Sequence, residues 1–67
     1  MEIRELKSFI IAAKYKSISK AAENLGVGQP TVTSHIKRLE TSLGIILFDR
    51  VKRPIKLTLP GEKLLDL

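Results

Sequence analysis

The sequence predicts a small, mainly α domain: a three-helix core, a two-stranded β-hairpin and the start of a fourth helix. Three observations predict it. Apolar residues recur at helical spacing in three separate segments, glycine and proline punctuate the chain where those segments end and begin, and a short β-prone run is answered, beyond a basic turn, by the alternating Ile55-Lys56-Leu57. With 67 residues the chain makes one domain. A chain that short buries only about 60% of the surface its unfolded form exposes. It has no cysteine and a single histidine, His35, so disulfides, thiolate sites and multi-histidine metal sites are excluded. Association with another chain is the remaining route to extra stability.

Ile3, Leu6, Phe9, Ile10 and Ala13 place a first amphipathic helix over Ile3 to Tyr15. Ser19 is a good N-cap for a second helix, expected over Lys20 to Asn24, with Ala21, Ala22 and Leu25 facing inward and Gly26 stopping it. Gly26-Val27-Gly28 is a tight connection. Gln29 and Pro30 then open a third helix, since proline in the first turn loses no hydrogen bond that the helix needs. Val32, Ile36, Leu39 and Leu43 form its apolar stripe, and Gly44 caps its end. Ile45-Ile46-Leu47-Phe48 is β-prone, the stretch from Asp49 to Lys56 is a basic hairpin tip, and Ile55-Lys56-Leu57 is the return strand. Thr58 is an N-cap for a fourth helix with Pro60 in its first turn. Leu64, Leu65 and Leu67 stand at the end with no C-cap behind them, as expected of a fragment cut within a longer helix.

Two short helices joined by a three-residue turn, the second longer and polar on its outer face, describe a helix-turn-helix. Ala22 falls where the helices cross, Gly26 permits the turn, and Val27, Val32 and Ile36 are expected to pin the second helix onto the first. With a hairpin behind it, the fold class is a winged helix-turn-helix.

Charge points to the partner. Twelve Lys and Arg against seven Asp and Glu give a net charge of +5. Between residues 28 and 59 six basic residues face two acidic ones, so four of the five net charges lie on the third helix and the wing. A basic excess favours nucleic acid, an anionic membrane or an acidic protein. No apolar stretch approaches the roughly 20 residues of a membrane span, and Met1 to Lys7, with four charged residues, is not expected to be a signal peptide. A cytoplasmic location is expected.

Opposite Val32 and Ile36, the third helix carries Pro30, Ser34, Lys37 and Thr41, with Thr33 and Arg38 on its flanks. Its N-terminal part is expected in a major groove, where the Gln29 amide can pair with adenine and serine or threonine can meet several bases. Lys37 and Arg38, one turn on, are placed to reach phosphates. Blander roles stand beside these. Gln29 could serve only as a cap, a Lys-Arg pair is often a solvated face, and a basic turn is often a plain loop. His35 is expected to pack beside Thr31, and Glu23 and Glu40 to join helix surface pairs. No nucleophile with a base and an orienting group, no paired carboxylates and no glycine-rich phosphate loop is present, so no enzyme is expected. A protein-docking winged helix is the alternative, disfavoured by the basic face. A single-stranded RNA binder would need exposed stacking aromatics, and only Phe9, Tyr15 and Phe48 are available.

Ser19 to Leu25, Gln29-Pro30-Thr31-Val32-Thr33, Ile36-Lys37-Arg38-Leu39-Glu40, Leu43-Gly44, Leu47-Phe48-Asp49-Arg50 and Leu57-Thr58 with Gly61 together resemble the N-terminal domain of the LysR-type transcriptional regulators. The resemblance covers essentially the whole chain. It implies sequence-specific binding of double-stranded promoter DNA. By position it places Gln29, Pro30 and Thr33 at bases or the adjoining backbone and Arg53 in the minor groove; the residues themselves add Thr31 and Ser34 at the groove and Ser19, Lys37, Arg38, Arg50, Lys52 and Lys56 at phosphates. It also implies a division into a DNA-binding domain over 1–59 and the start of a linker helix over 60–67, with Leu64, Leu65 and Leu67 in a homodimer contact. Full-length members are expected to be tetrameric and to bind a small-molecule co-inducer through a further effector domain; no cofactor is expected within these residues. Two departures stand out. Gly28 occupies the place of a common serine N-cap, and Ser34-His35 replaces a common arginine-glutamine, so guanine-directed reading is expected to weaken or to give way to DNA shape.

Overall fold

The computed structural model describes residues 1–49 and 55–67. In chain order it contains α1 (Ile3–Tyr15), α2 (Ile18–Leu25), α3 (Gln29–Leu43), β1 (Phe48–Asp49), β2 (Lys56–Leu57) and α4 (Leu59–Leu65). The two strands pair antiparallel, Phe48 opposite Leu57 and Asp49 opposite Lys56. The expected tip of the wing, with Arg50, Lys52 and Arg53, lies outside the described residues.

α1 opens where the Glu2 N–H donates to the Glu5 carboxylate at 3.2 Å. It ends at Lys16, whose left-handed backbone turns the chain toward α2. The cap of α2 is Ser17, not Ser19: the Ser17 hydroxyl accepts the Lys20 N–H at 3.1 Å, and the helix starts at Ile18. Both serines suit a cap by type. Starting at Ile18 brings that side chain, half-buried, against the core, and tertiary packing decides between them. Gly26 closes α2 at φ +71°, a left-handed conformation that costs a residue with a Cβ about 1 kcal/mol or more.

Val32, Ile36 and Leu39 of α3 are fully buried against Phe9 and Ala12 of α1 and Ala21 and Ala22 of α2. Two sequence expectations fail along this ridge. Leu43 does not continue the stripe into the core, and Val27 is as exposed as a surface residue, at 36% and 39% respectively. The last turn of α3 runs beyond the helical core, and the chain returns beneath it through Leu47 and Phe48.

The apolar run 45–48 is a strand only from Phe48 onward. The Leu47 carbonyl accepts the Thr58 N–H at 2.9 Å, one bond beyond the paired strands. The Leu47 N–H, however, turns to the Glu40 carboxylate at 2.7 Å, and Phe48 N–H approaches the same oxygen at 3.4 Å. Ile46 is left exposed, while Leu47 and Phe48 are buried. The Phe48 ring meets Phe9 with centroids 5.5 Å apart at 56°, which docks the wing base on α1.

α4 is tied to the same connector. The Thr58 hydroxyl caps Gly61 N–H at 3.1 Å and itself donates to the Ile46 carbonyl. Gly61 is buried directly against the Leu47 carbonyl, and Leu64 packs on the core behind it.

Candidate nucleic-acid interface

α1 and α2 bury one side of α3 and leave the other in solvent. Gln29, Pro30, Thr31, Ser34, Lys37, Arg38 and Thr41 are exposed, and Thr33 is half-buried. Gln29, Pro30, Thr33, Ser34, Lys37, Arg38 and Thr41 line one shallow, open groove along this face. Its N-terminal half is neutral and rich in hydrogen-bonding groups. Its cations, Lys37 and Arg38, stand about two turns further on.

A second depression adjoins the first and shares Gln29 and Thr33 with it. Its remaining walls are Tyr15 to Lys20, from the α1–α2 junction, together with Phe48 and Ile55. Ser19 therefore joins the recognition face by being exposed within the first turn of α2, not by capping it. Lys16 and Lys20 bracket it and complete the rim; the sequence reading left both out of the site. The signal for them was the helix break between Tyr15 and Ile18, which puts Lys16 at a turn and Lys20 in the first turn of α2. No aspartate or glutamate lines either depression among the described residues.

Lys56 is exposed on β2. Arg50, Lys52 and Arg53 are among the residues not described. Of the three terminal leucines, Leu64 packs against the core, whereas Leu65 and Leu67 are 41% and 99% exposed.

Two residues take roles that the sequence did not suggest. His35 does not merely pack beside its own helix: its Nδ1 lies 2.7 Å from the hydroxyl of Ser8 on α1. Glu40 does not sit on the outer surface of α3. It is buried, and its carboxylate holds the connector amides that lead into the wing. Among the described residues, no group of three His, Asp or Glu could hold a metal ion, and no helix is long and apolar enough to cross a membrane.

Residues 3–62 match the bacterial regulatory helix-turn-helix protein family, lysR type. The chain belongs to the lysR family. Within it, the chain is 42% identical over 65 residues to the HTH-type transcriptional regulator CfxR of Cupriavidus necator, covering 97% of this chain and 20% of that protein. It is 47% identical over 62 residues to CitR of Bacillus subtilis, covering 92% of this chain and 21% of that one. The chain thus spans about a fifth of the length of these curated relatives. Among solved structures, the BenM DNA-binding domain in complex with catB site 1 DNA superposes with a TM-score of 0.95 at 38% identity, over 98% of this chain and 74% of that one. The DNA-binding domain of CbnR in complex with DNA gives 0.93 at 41% identity, over 98% and 76%. The lysR-family fold accounts for the mainly α winged helix-turn-helix described above.

Proposed function

We propose that this chain is the DNA-binding domain of a bacterial LysR-type transcriptional regulator, and that it binds double-stranded promoter DNA without catalysing a reaction. The observation that carries this is the acid-free, exposed face of α3, on a fold shared with domains solved on DNA. Gln29, Pro30, Thr31, Thr33 and Ser34 lie at base edges in the major groove. Ser19, Lys37, Arg38 and Lys56 meet phosphates, with Lys16 and Lys20 extending that rim. Arg50 and Lys52 belong with the phosphate contacts and Arg53 with the minor groove. In this proposal residues 1–59 bind DNA and 60–67 begin a linker helix that pairs two copies through Leu65 and Leu67. The full-length regulator is cytoplasmic and tetrameric, and it takes a small-molecule co-inducer on an effector domain outside these residues.

Selection of bound duplexes from a random library, followed by titration of the enriched sequence at several salt concentrations, tests the proposal. Four to six neutralised phosphates per protomer give a slope of log K against log salt of about −4 to −5. Failure to enrich any sequence, with a slope near zero, would remove the nucleic-acid reading and leave protein docking.

A further inference from the structure

We propose that the Ser8–His35 hydrogen bond sets the rotation of the recognition helix, which makes His35 a positioning residue for sequence discrimination. The inference rests on the DNA-binding function proposed above. α3 lies on α1 through Phe9, Ala12, Val32, Ile36 and Leu39, all essentially buried. Apolar burial is favourable but non-directional, so it leaves room for a helix to roll on its neighbour. A hydrogen bond is restricted in distance and angle. Ser8, 1% exposed, places its hydroxyl 2.7 Å from His35 Nδ1 across this interface.

The position of His35 gives the bond its leverage. It stands between Ile36, which is fully buried, and Ser34, which is exposed on the reading face. Thr31 and Arg38 lie one turn to either side of it. A helix with its side chains is about 10–12 Å across, so a roll of about 20° moves a tip on the reading face by about 2 Å. That shift breaks a base-edge hydrogen bond, whereas a flexible lysine or arginine still finds a phosphate. The bond therefore bears on discrimination between sequences and leaves general DNA affinity largely alone.

Neither partner is trapped when the other is removed. His35 is half-buried and can turn to water, and a serine within a helix can bond back to the carbonyl four residues earlier, here that of Arg4. Fold loss in the variants should accordingly be small.

The test compares the unmodified chain with His35→Leu, Ser8→Ala, the double variant and His35→Gln, whose amide can still bond Ser8. Each is titrated with the library-selected duplex and with a random duplex at one salt concentration, and its thermal unfolding is recorded. Expected is a fall of roughly tenfold in the selected-to-random ratio for either single variant, the size of one misplaced base contact. Random-duplex affinity should stay within about twofold. The double variant should be no worse than the singles, and His35→Gln should keep the ratio. An unchanged ratio in both folded single variants overturns the inference. So does a parallel loss on both duplexes that follows stability, or unfolding of both variants, since each marks a merely structural bond. An unmodified chain that selects no sequence instead overturns the DNA-binding proposal beneath it.

Discussion

The Glu40 carboxylate, buried on α3, accepts the backbone N–H of Leu47 at 2.7 Å, and so the recognition helix holds the start of the wing by its main chain. A buried carboxylate is tolerated when hydrogen bonds replace its water. Removing it strands the Leu47 amide at a position where the side chain is also fully buried. Glu40→Ala should destabilise the domain by about 1–3 kcal/mol, the usual penalty for an orphaned buried donor. Glu40→Gln, which keeps a carbonyl oxygen, should lose less. Urea denaturation followed by circular dichroism measures both, and an alanine variant as stable as the parent would show that this tie is dispensable.

Glu40 also marks where sequence reasoning stops. The bounds of α1 and α3 are legible from apolar spacing and from the Pro30 and Gly44 punctuation, and the outer face of α3 follows from the same period. Partners that lie across the fold are not. Nothing in the period tells that Glu40 faces a connector amide seven residues on, or that Ser8 meets His35. Ser17 and Ser19 are equivalent as cap types, and the choice depends on where Ile18 packs. Leu43 fits the stripe perfectly and is still exposed, because α3 is longer than the core beneath it.

Gly61 should resist enlargement. A Cβ there would overlap the Leu47 carbonyl oxygen and come within 3.2 Å of its carbon, both backbone atoms that cannot swing aside. Helix propensity favours alanine by about 0.8–1 kcal/mol, but overpacking costs about 1–3 kcal/mol, and the contact here is with main chain. Gly61→Ala should therefore lower the thermal midpoint. Gly28→Ala is the control, because a Cβ at that position would sit 3.5 Å from Pro30 Cδ, an ordinary contact. Equal melting of the two variants would show that the α4–connector contact relaxes freely.

Ser34 is exposed on the neutral half of the α3 groove, one turn before Lys37 and Arg38. An arginine there would add a planar fork able to take guanine O6 and N7 together, a contact worth about 1–3 kcal/mol of discrimination. Ser34→Arg should therefore enrich guanine at one position of each selected half-site. Selection with the parent and the variant, compared base by base, decides the matter. Identical base preferences would place Ser34 away from the base edges.

Leu64 packs on the domain core, so replacing it would confuse unfolding with loss of a partner. Leu65 and Leu67 are exposed at the end of the chain and are free of that confusion. These two exposed side chains offer apolar surface at the end of the chain that a second copy can cover. Two-fold pairing through such a patch would set two α3 helices toward successive major-groove turns, about 34 Å apart. Replacing both Leu65 and Leu67 with lysine should leave thermal stability of the monomer nearly unchanged and shift sedimentation from dimer to monomer. It should also weaken binding to a duplex with two half-sites far more than to one with a single half-site. If the unmodified chain already sediments as a monomer at high micromolar concentration and binds the two half-sites independently, these leucines do not suffice for pairing, and stable dimerisation draws on surfaces beyond these residues.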